Sequence, residues 1–350
     1  MRLISLAFIV FIVFSCKKDK PEISEVEEVL DNGMIVLCEG LFQHNNASIS
    51  WIDFDNGTVS NDLFVSKTGR QLGDTGNDMK QYGGKIYIIV NVSSTIEVMD
   101  ATTFKPISQI SMVASGSSKQ PRSLAFHNGK VYVSCYDGYV DVIDTSSLTI
   151  TQRIQVGSNP EGLSIANNKL YVANSGGLNF PVPDSTISVI DLSTHTEIKK
   201  ITVGMNPGGV ITDSQGGVYA VIRGDYAVVP SRMVRIDTQN DVLAETFPFD
   251  VSGMYPMNDQ LLISFYNYST ETSTIGLFDP FTETLVSSNY ISTSGITTLY
   301  GMKYNPSKNT IFILDGMNYT NTGYVREYSV SGVQLANYHV GLNPTKIIFK

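Results

Sequence analysis

Two short steps in the chain, "QPRSL" at 120–124 and "NPEGL" at 159–163, set an arginine and a glutamate at matching places. Arg122 and Glu161 each follow the proline that opens a strand-like run. The same slot holds Gly208 in "NPGGV" and Thr345 in "NPTKI". Four different residues at one slot describe a shaped pocket rather than a symmetric ring. Arg70 in "GRQLGDTG" and Arg223 and Arg232 in "IRGDYAVVPSR" are further charged candidates to converge there. Long, irregular loops carry Tyr136, Phe180, Tyr226 and Tyr266 together with Asn174 and Asn318. Aromatic rings and amides combine flat apolar contact with hydrogen bonding, which suits a large, mostly neutral ligand. The plainer alternative for each loop tyrosine is packing against a neighbouring unit.

Catalytic signatures are missing. The sequence has no G-x-S-x-G, G-x-G-x-x-G, P-loop or H-E-x-x-H pattern. His44, His127, His195 and His339 are scattered without ligand spacing, so neither a metal nor another cofactor is expected. The carboxylates fall mostly at turns, where an Asp side chain accepts backbone N–H groups. The chain is therefore expected not to be an enzyme. A formal net charge of −9 argues against a nucleic-acid partner, whose affinity rests on Lys and Arg.

These residues need a scaffold, and the chain repeats itself to build one. A strand rich in Tyr and β-branched residues recurs as "KIYIIV", "KVYVSC", "KLYVAN", "GVYAVI", "QLLISF" and "TIFILD". A third strand follows, ending on Asp100, Asp144, Asp191, Asp237 and Asp279, at spacings of 44, 47, 46 and 42 residues. A period in the forties with four short strands is the mark of a propeller blade. The first unit, from Met34, lacks its first strand, and "GLNPTKIIF" at the C-terminus supplies one with nothing after it. Together the two ends make one blade, which leaves no open sheet edge. The expectation is an all-β, seven-bladed β-propeller of four-stranded antiparallel blades over 34–350, closed by the C-terminal strand joining the N-terminal blade. Loops between second and third strands are long; the opposite hairpins, such as "HNGK" and "ANNK", are short. One face therefore carries the variation, and binding residues tend to sit on such loops.

The stretches "VGSNPEGLSIANNKLYVANSG" and "STISVIDLSTHTEIKKITVGMNPGGV" resemble the YVTN or YncE-like family of seven-bladed propellers. That resemblance implies the fold and leaves the activity open. At the N-terminus, Arg2 and the apolar run "LISLAFIVFIVF" read as an export signal over 1–15, too short for a bilayer span of about 20 residues. "VFSC" resembles a bacterial lipobox, which implies lipidation at Cys16 and a flexible tether over 16–33. The other two cysteines, Cys38 and Cys135, read as small buried residues too far apart to bridge.

Within Bacteroidetes lipoproteins of this repeat, the chain is similar to surface propellers that capture cobalamin above a TonB-dependent vitamin B12 transporter. This implies outer-membrane display through the lipid anchor, a small-molecule ligand such as cobalamin or another corrinoid, transfer to the transporter, and a monomer when soluble. Two other readings stand beside it: a protein-interaction or adhesion propeller without a small ligand, and a lactonase-like hydrolase.

Overall fold

A computed structural model describes residues 29–350. The export signal, Cys16 and most of the tether fall outside the described residues. The tether gives way to packed structure earlier than expected. The Leu30 side chain is already buried and its N–H donates to the Thr102 carbonyl at 2.8 Å.

Seven four-stranded antiparallel sheets follow one another. The second blade shows the plan: Gly76–Tyr82, Lys85–Val90, Thr95–Asp100 and Pro106–Ser111, from inside outward. The later blades begin at Pro121–His127, Pro160–Ala166, Pro207–Thr212, Val251–Met257 and Leu299–Asn305. Each innermost strand touches those of the two neighbouring blades, so the seven close into a ring around a channel. Second strands are buried on both faces because every blade is sandwiched between two others, and they read as continuous apolar runs. Outer strands such as Pro106–Ser111 are mostly exposed.

The first blade joins the chain ends. Gly33–Cys38, Ser48–Asp53 and the two-residue Val59–Ser60 are completed by Pro344–Phe349 as the innermost strand. Met34 pairs with Phe349 and Val36 with Ile347, and Gly33 and Lys350 exchange backbone hydrogen bonds of 3.3 and 2.9 Å. The short outer strand turns into a helix, Leu63–Thr68, which buries Leu63 and Phe64 and ends at Gly69 with φ 72°. Only glycine adopts that left-handed C-cap freely. The helix has too few residues to show a periodic stripe, which is why sequence alone reads it as strand and loop.

The third-strand aspartates act as turn acceptors. Asp144 takes the N–H groups of Ser146 and Ser147, both at 2.9 Å, and Asp191 takes those of Ser193 and Thr194 at 2.7 and 3.1 Å. These bonds stabilise the charged form. The Lys130 ammonium and the turn N–H groups hold Asp144 below the ordinary carboxylate range; the Ser193 hydroxyl and backbone bonds do so for Asp191. Cys38 and Cys135 are free thiols; burial pushes Cys38 up to about 11.

Candidate ligand-binding site at the channel mouth

Pairing between innermost and second strands breaks register once at the same place in every blade. The residue at the break is a bulge, left out of the ladder and free to aim its side chain elsewhere. Going round the ring, this slot holds Thr345, Asn77, Arg122, Glu161, Gly208, Ser252 and Tyr300. Arg122, Glu161, Gly208 and Thr345 therefore share one structural position, as their place after proline implies.

The charged members meet. Arg122 Nη2 lies 3.0 Å from Glu161 Oε1, and the Tyr136 hydroxyl donates to that same oxygen. The Arg122 guanidinium also stacks over the Tyr136 ring, 4.6 Å from its centroid. Arg223 Nη2 reaches within 3.9 Å of Glu161 Oε2. Beside them the Tyr300 hydroxyl donates to Glu39. Asn77 Nδ2 donates to the Arg122 carbonyl at 2.6 Å. Arg122, Glu161, Arg223, Glu39, Tyr300 and Asn77 line an opening of about 350 Å³ that also includes Lys346.

The two carboxylates are tuned in opposite directions. Burial would raise Glu161, but Arg122, Arg223 and the Tyr136 hydroxyl outweigh it and hold it below the ordinary carboxylate value. Burial dominates at Glu39 and keeps it above that value despite Tyr300 and Arg122. Burial and the adjacent carboxylate push both Tyr136 and Tyr300 upward. The two phenols remain protonated donors at neutral pH.

Next to the mouth a smaller recess of about 100 Å³ is lined by Arg223, Tyr226, Asp250, Ser252, Tyr266 and Tyr268. Tyr266 and Tyr268 meet edge to face at 4.8 Å, and Phe180 stacks with Tyr226 at 6.4 Å. Phe180, Tyr226 and Tyr268 remain 49%, 53% and 61% exposed. Phe180, Tyr226 and Tyr268 come from loops between second and third strands of three consecutive blades, and Tyr266, expected on such a loop, sits at the end of the second strand Gln260–Asn267, all on the same face as the slot. The decorated face and the channel mouth are thus one surface.

Four sequence-derived candidates are used differently. Arg70 donates to Glu97 at 2.7 Å and lies over the Phe64 ring, away from the mouth lining. Asn174 is fully buried, accepting from Gly157 N–H at 3.0 Å and donating to Thr186 and Ser188 at 2.9 Å. Arg232 packs over Gly204, where a Cβ would collide with its guanidinium. Asn318 is an exposed turn residue with φ 62°, its N–H donating to Thr298 Oγ1 at 3.0 Å. Asn174 and Arg232 end up at strand ends rather than on loops, the first three support blade packing, and Asn318 lines none of these cavities.

Glu39, Tyr300, Lys346, Asn77 and Ser252 are mouth residues that sequence reasoning passed over. A signal existed for three of them. "GNDM", "VSGM" and "LYGM" put Asn77, Ser252 and Tyr300 two residues before an apolar strand position, as "PRSL" does for Arg122. Without the proline they do not stand out. Among the described residues, no group of three or more His, Cys, Asp or Glu could hold a metal ion, and no helix is long and apolar enough to cross a membrane.

The fold is that of a seven-bladed β-propeller with its polar mouth on the loop-bearing face. The chain belongs to the family described as Domain of unknown function (DUF5074), whose profile matches residues 32–350. No curated protein matches it. Among solved structures it is similar to a quinonprotein alcohol dehydrogenase-like protein from Bacteroides thetaiotaomicron. That match has a TM-score of 0.65 and 14% identity, and covers 92% of this chain and 79% of the other. It is also similar to the hydrazine synthase of Kuenenia stuttgartiensis, at TM-score 0.62 and 16% identity, covering 75% of this chain and 85% of that one. At these identities the likeness is one of fold alone.

Proposed function

We propose that the protein is a lipid-anchored, surface-displayed binding propeller. It captures a small ligand at the channel mouth and passes it to an outer-membrane transporter of the TonB-dependent kind. A corrinoid such as cobalamin is the ligand class this reading favours. One observation carries it: Arg122, Glu161 and Arg223, with Tyr136 bonded to Glu161, converge on an opening bordered by Phe180, Tyr226, Tyr266 and Tyr268. Scaffold-held aromatics next to a polar cluster grip a large, flat ligand at low entropic cost. The lipid anchor and the surface location rest on the N-terminal sequence.

The test is a titration of the full-length chain with cyanocobalamin, followed by calorimetry and visible absorption. Saturable binding supports capture. Tyr226→Ala and Tyr266→Ala should each weaken it about tenfold with little change in melting temperature, since both rings are partly solvent-facing. Absence of binding to any corrinoid, with retention of another cell-surface protein on the same face, would replace this reading with the interaction propeller. The exposed Leu178, Val182 and Val228 beside the aromatic rim would then be the contact surface.

A further inference from the structure

Behind the mouth the channel widens into a cavity of about 450 Å³. Its wall is built mainly from innermost-strand residues just below the slot. Three consecutive blades, the seventh, first and second, place Lys303, Lys346 and Lys80 there. Across the ring, the fourth, fifth and sixth blades place Gly162, Gly209 and Gly253 at the position equivalent to Lys346. One wall is therefore cationic; the opposite wall carries no side chain level with Lys346 and is otherwise largely apolar, with Ile211, Met254 and Tyr255.

We propose that this cavity is an anion site, seating a phosphate-class oxyanion against Lys303, Lys346 and Lys80. Three observations support it. First, the ammonium groups have donors to spare. Among the described residues, the Lys303 and Lys346 ammonium groups have no hydrogen bond or ion pair, and that of Lys80 makes one hydrogen bond, to the Leu124 carbonyl at 2.5 Å. Each ammonium carries three donors. Second, the single acidic group in the cavity is already committed. Asp78 accepts from Leu124 N–H at 2.9 Å and from Met79 N–H at 3.0 Å, and stands 3.5 Å from Lys80. The cavity thus holds an excess of positive charge inside a chain whose formal net charge is −9. A low-dielectric wall focuses such a field on a small bound ion. Third, the lysines repel one another. Burial, Lys80 and Lys346 together hold the Lys303 ammonium below the ordinary lysine value. An anion between them removes that penalty.

The glycine wall leaves room for an oxyanion, alone or as part of a larger ligand. The inference deepens the capture reading and rests on it only where the anion arrives as part of that ligand. The experiment uses the full-length chain at low ionic strength, where charge contacts are least screened. Inorganic phosphate and methyl phosphate are titrated separately by calorimetry, in the wild type, Lys303→Met and Lys303→Arg. Binding of either probe that falls about tenfold or more in Lys303→Met, the size of one charge contact, and persists in Lys303→Arg supports the site. Phosphate alone points to a free ion as the occupant; methyl phosphate alone points to an ester group. Lys303 should also titrate at higher pH once phosphate is bound, read by NMR at its ε-carbon. Failure of both probes to bind, or binding indifferent to Lys303→Met and Lys80→Met, overturns the proposal. Neither probe contains a corrinoid or needs the aromatic rim, so this failure is distinct from failure of ligand capture.

Discussion

Glu161 is the hub of the mouth, and its environment makes a signed statement about pH. Its carboxyl is held below the ordinary value, so its contribution to stability is present at neutral pH. That contribution is lost as pH falls through the lowered folded-state value. Glu39 is raised, so its contribution is present on the acid side and lost as pH rises through its folded-state value. Glu161→Gln leaves Arg122 and Arg223 without their counter-charge. It should cost about 1–3 kcal/mol at pH 7, discounted for the partial exposure of both arginines, and progressively less as pH falls through the lowered folded-state value. Glu39→Gln should do the reverse, raising the melting temperature at pH 8 and leaving it unchanged at pH 4. Thermal melts of the two variants across pH check both signs. Parallel curves for the two would mean that they do not sit in the contrasting surroundings described.

At this scale the sequence is informative where the repeat marks a position. Arg122 and Glu161 are legible because a proline precedes both. Glu39 and Lys346 are not, because their meeting depends on a contact between the two ends of the chain.

Between blades, the second-strand tyrosines form the recurring joint. Tyr132, Tyr171 and Tyr219 are buried, and each hydroxyl reaches the outer hairpin of the next blade. Tyr132 meets His195 Nε2 at 3.0 Å, Tyr171 donates to Asp241 at 2.7 Å, and Tyr219 approaches the Pro280 carbonyl at 3.5 Å. Tyr87 repeats the ring but its buried hydroxyl has no partner. The hairpin it faces offers Leu148 where the next blade offers His195. A buried unsatisfied hydroxyl is costly, so Tyr87→Phe should stabilise the fold by about 1 kcal/mol. Tyr171→Phe should cost about 1–2 kcal/mol, because Asp241 loses a donor. Chemical denaturation of the two variants measures the contrast; equal effects would refute this account of the joint.

The tyrosine strands are legible from sequence because type, burial and period agree. The helix Leu63–Thr68 and the small hairpin Val113–Ala114 with Ser117–Ser118 are not, because elements this short leave no period to read. The bulge that creates the mouth is likewise invisible in composition. It is a break in pairing, and it shows only when two strands are seen side by side.

For the molecule as a whole, ring closure sets everything else. The slot residues surround one mouth, and the lysine wall faces the glycine wall, only because Pro344–Phe349 lies beside Gly33–Cys38. The seven-blade count and this pairing are both readable in the unequal ends of the repeat. The ligand is not, because rim residues such as Tyr226 and Tyr266 owe their place to the scaffold rather than to a motif. Closure makes the terminal strand part of the cooperative unit instead of a fraying end. Hydrogen exchange under native conditions tests this directly. The backbone amides of the C-terminal strand should exchange as slowly as those of Gly33–Cys38, and only through global unfolding. Fast exchange of that strand, with the second strands of the other blades still protected, would contradict the closed ring and dissolve the mouth with it.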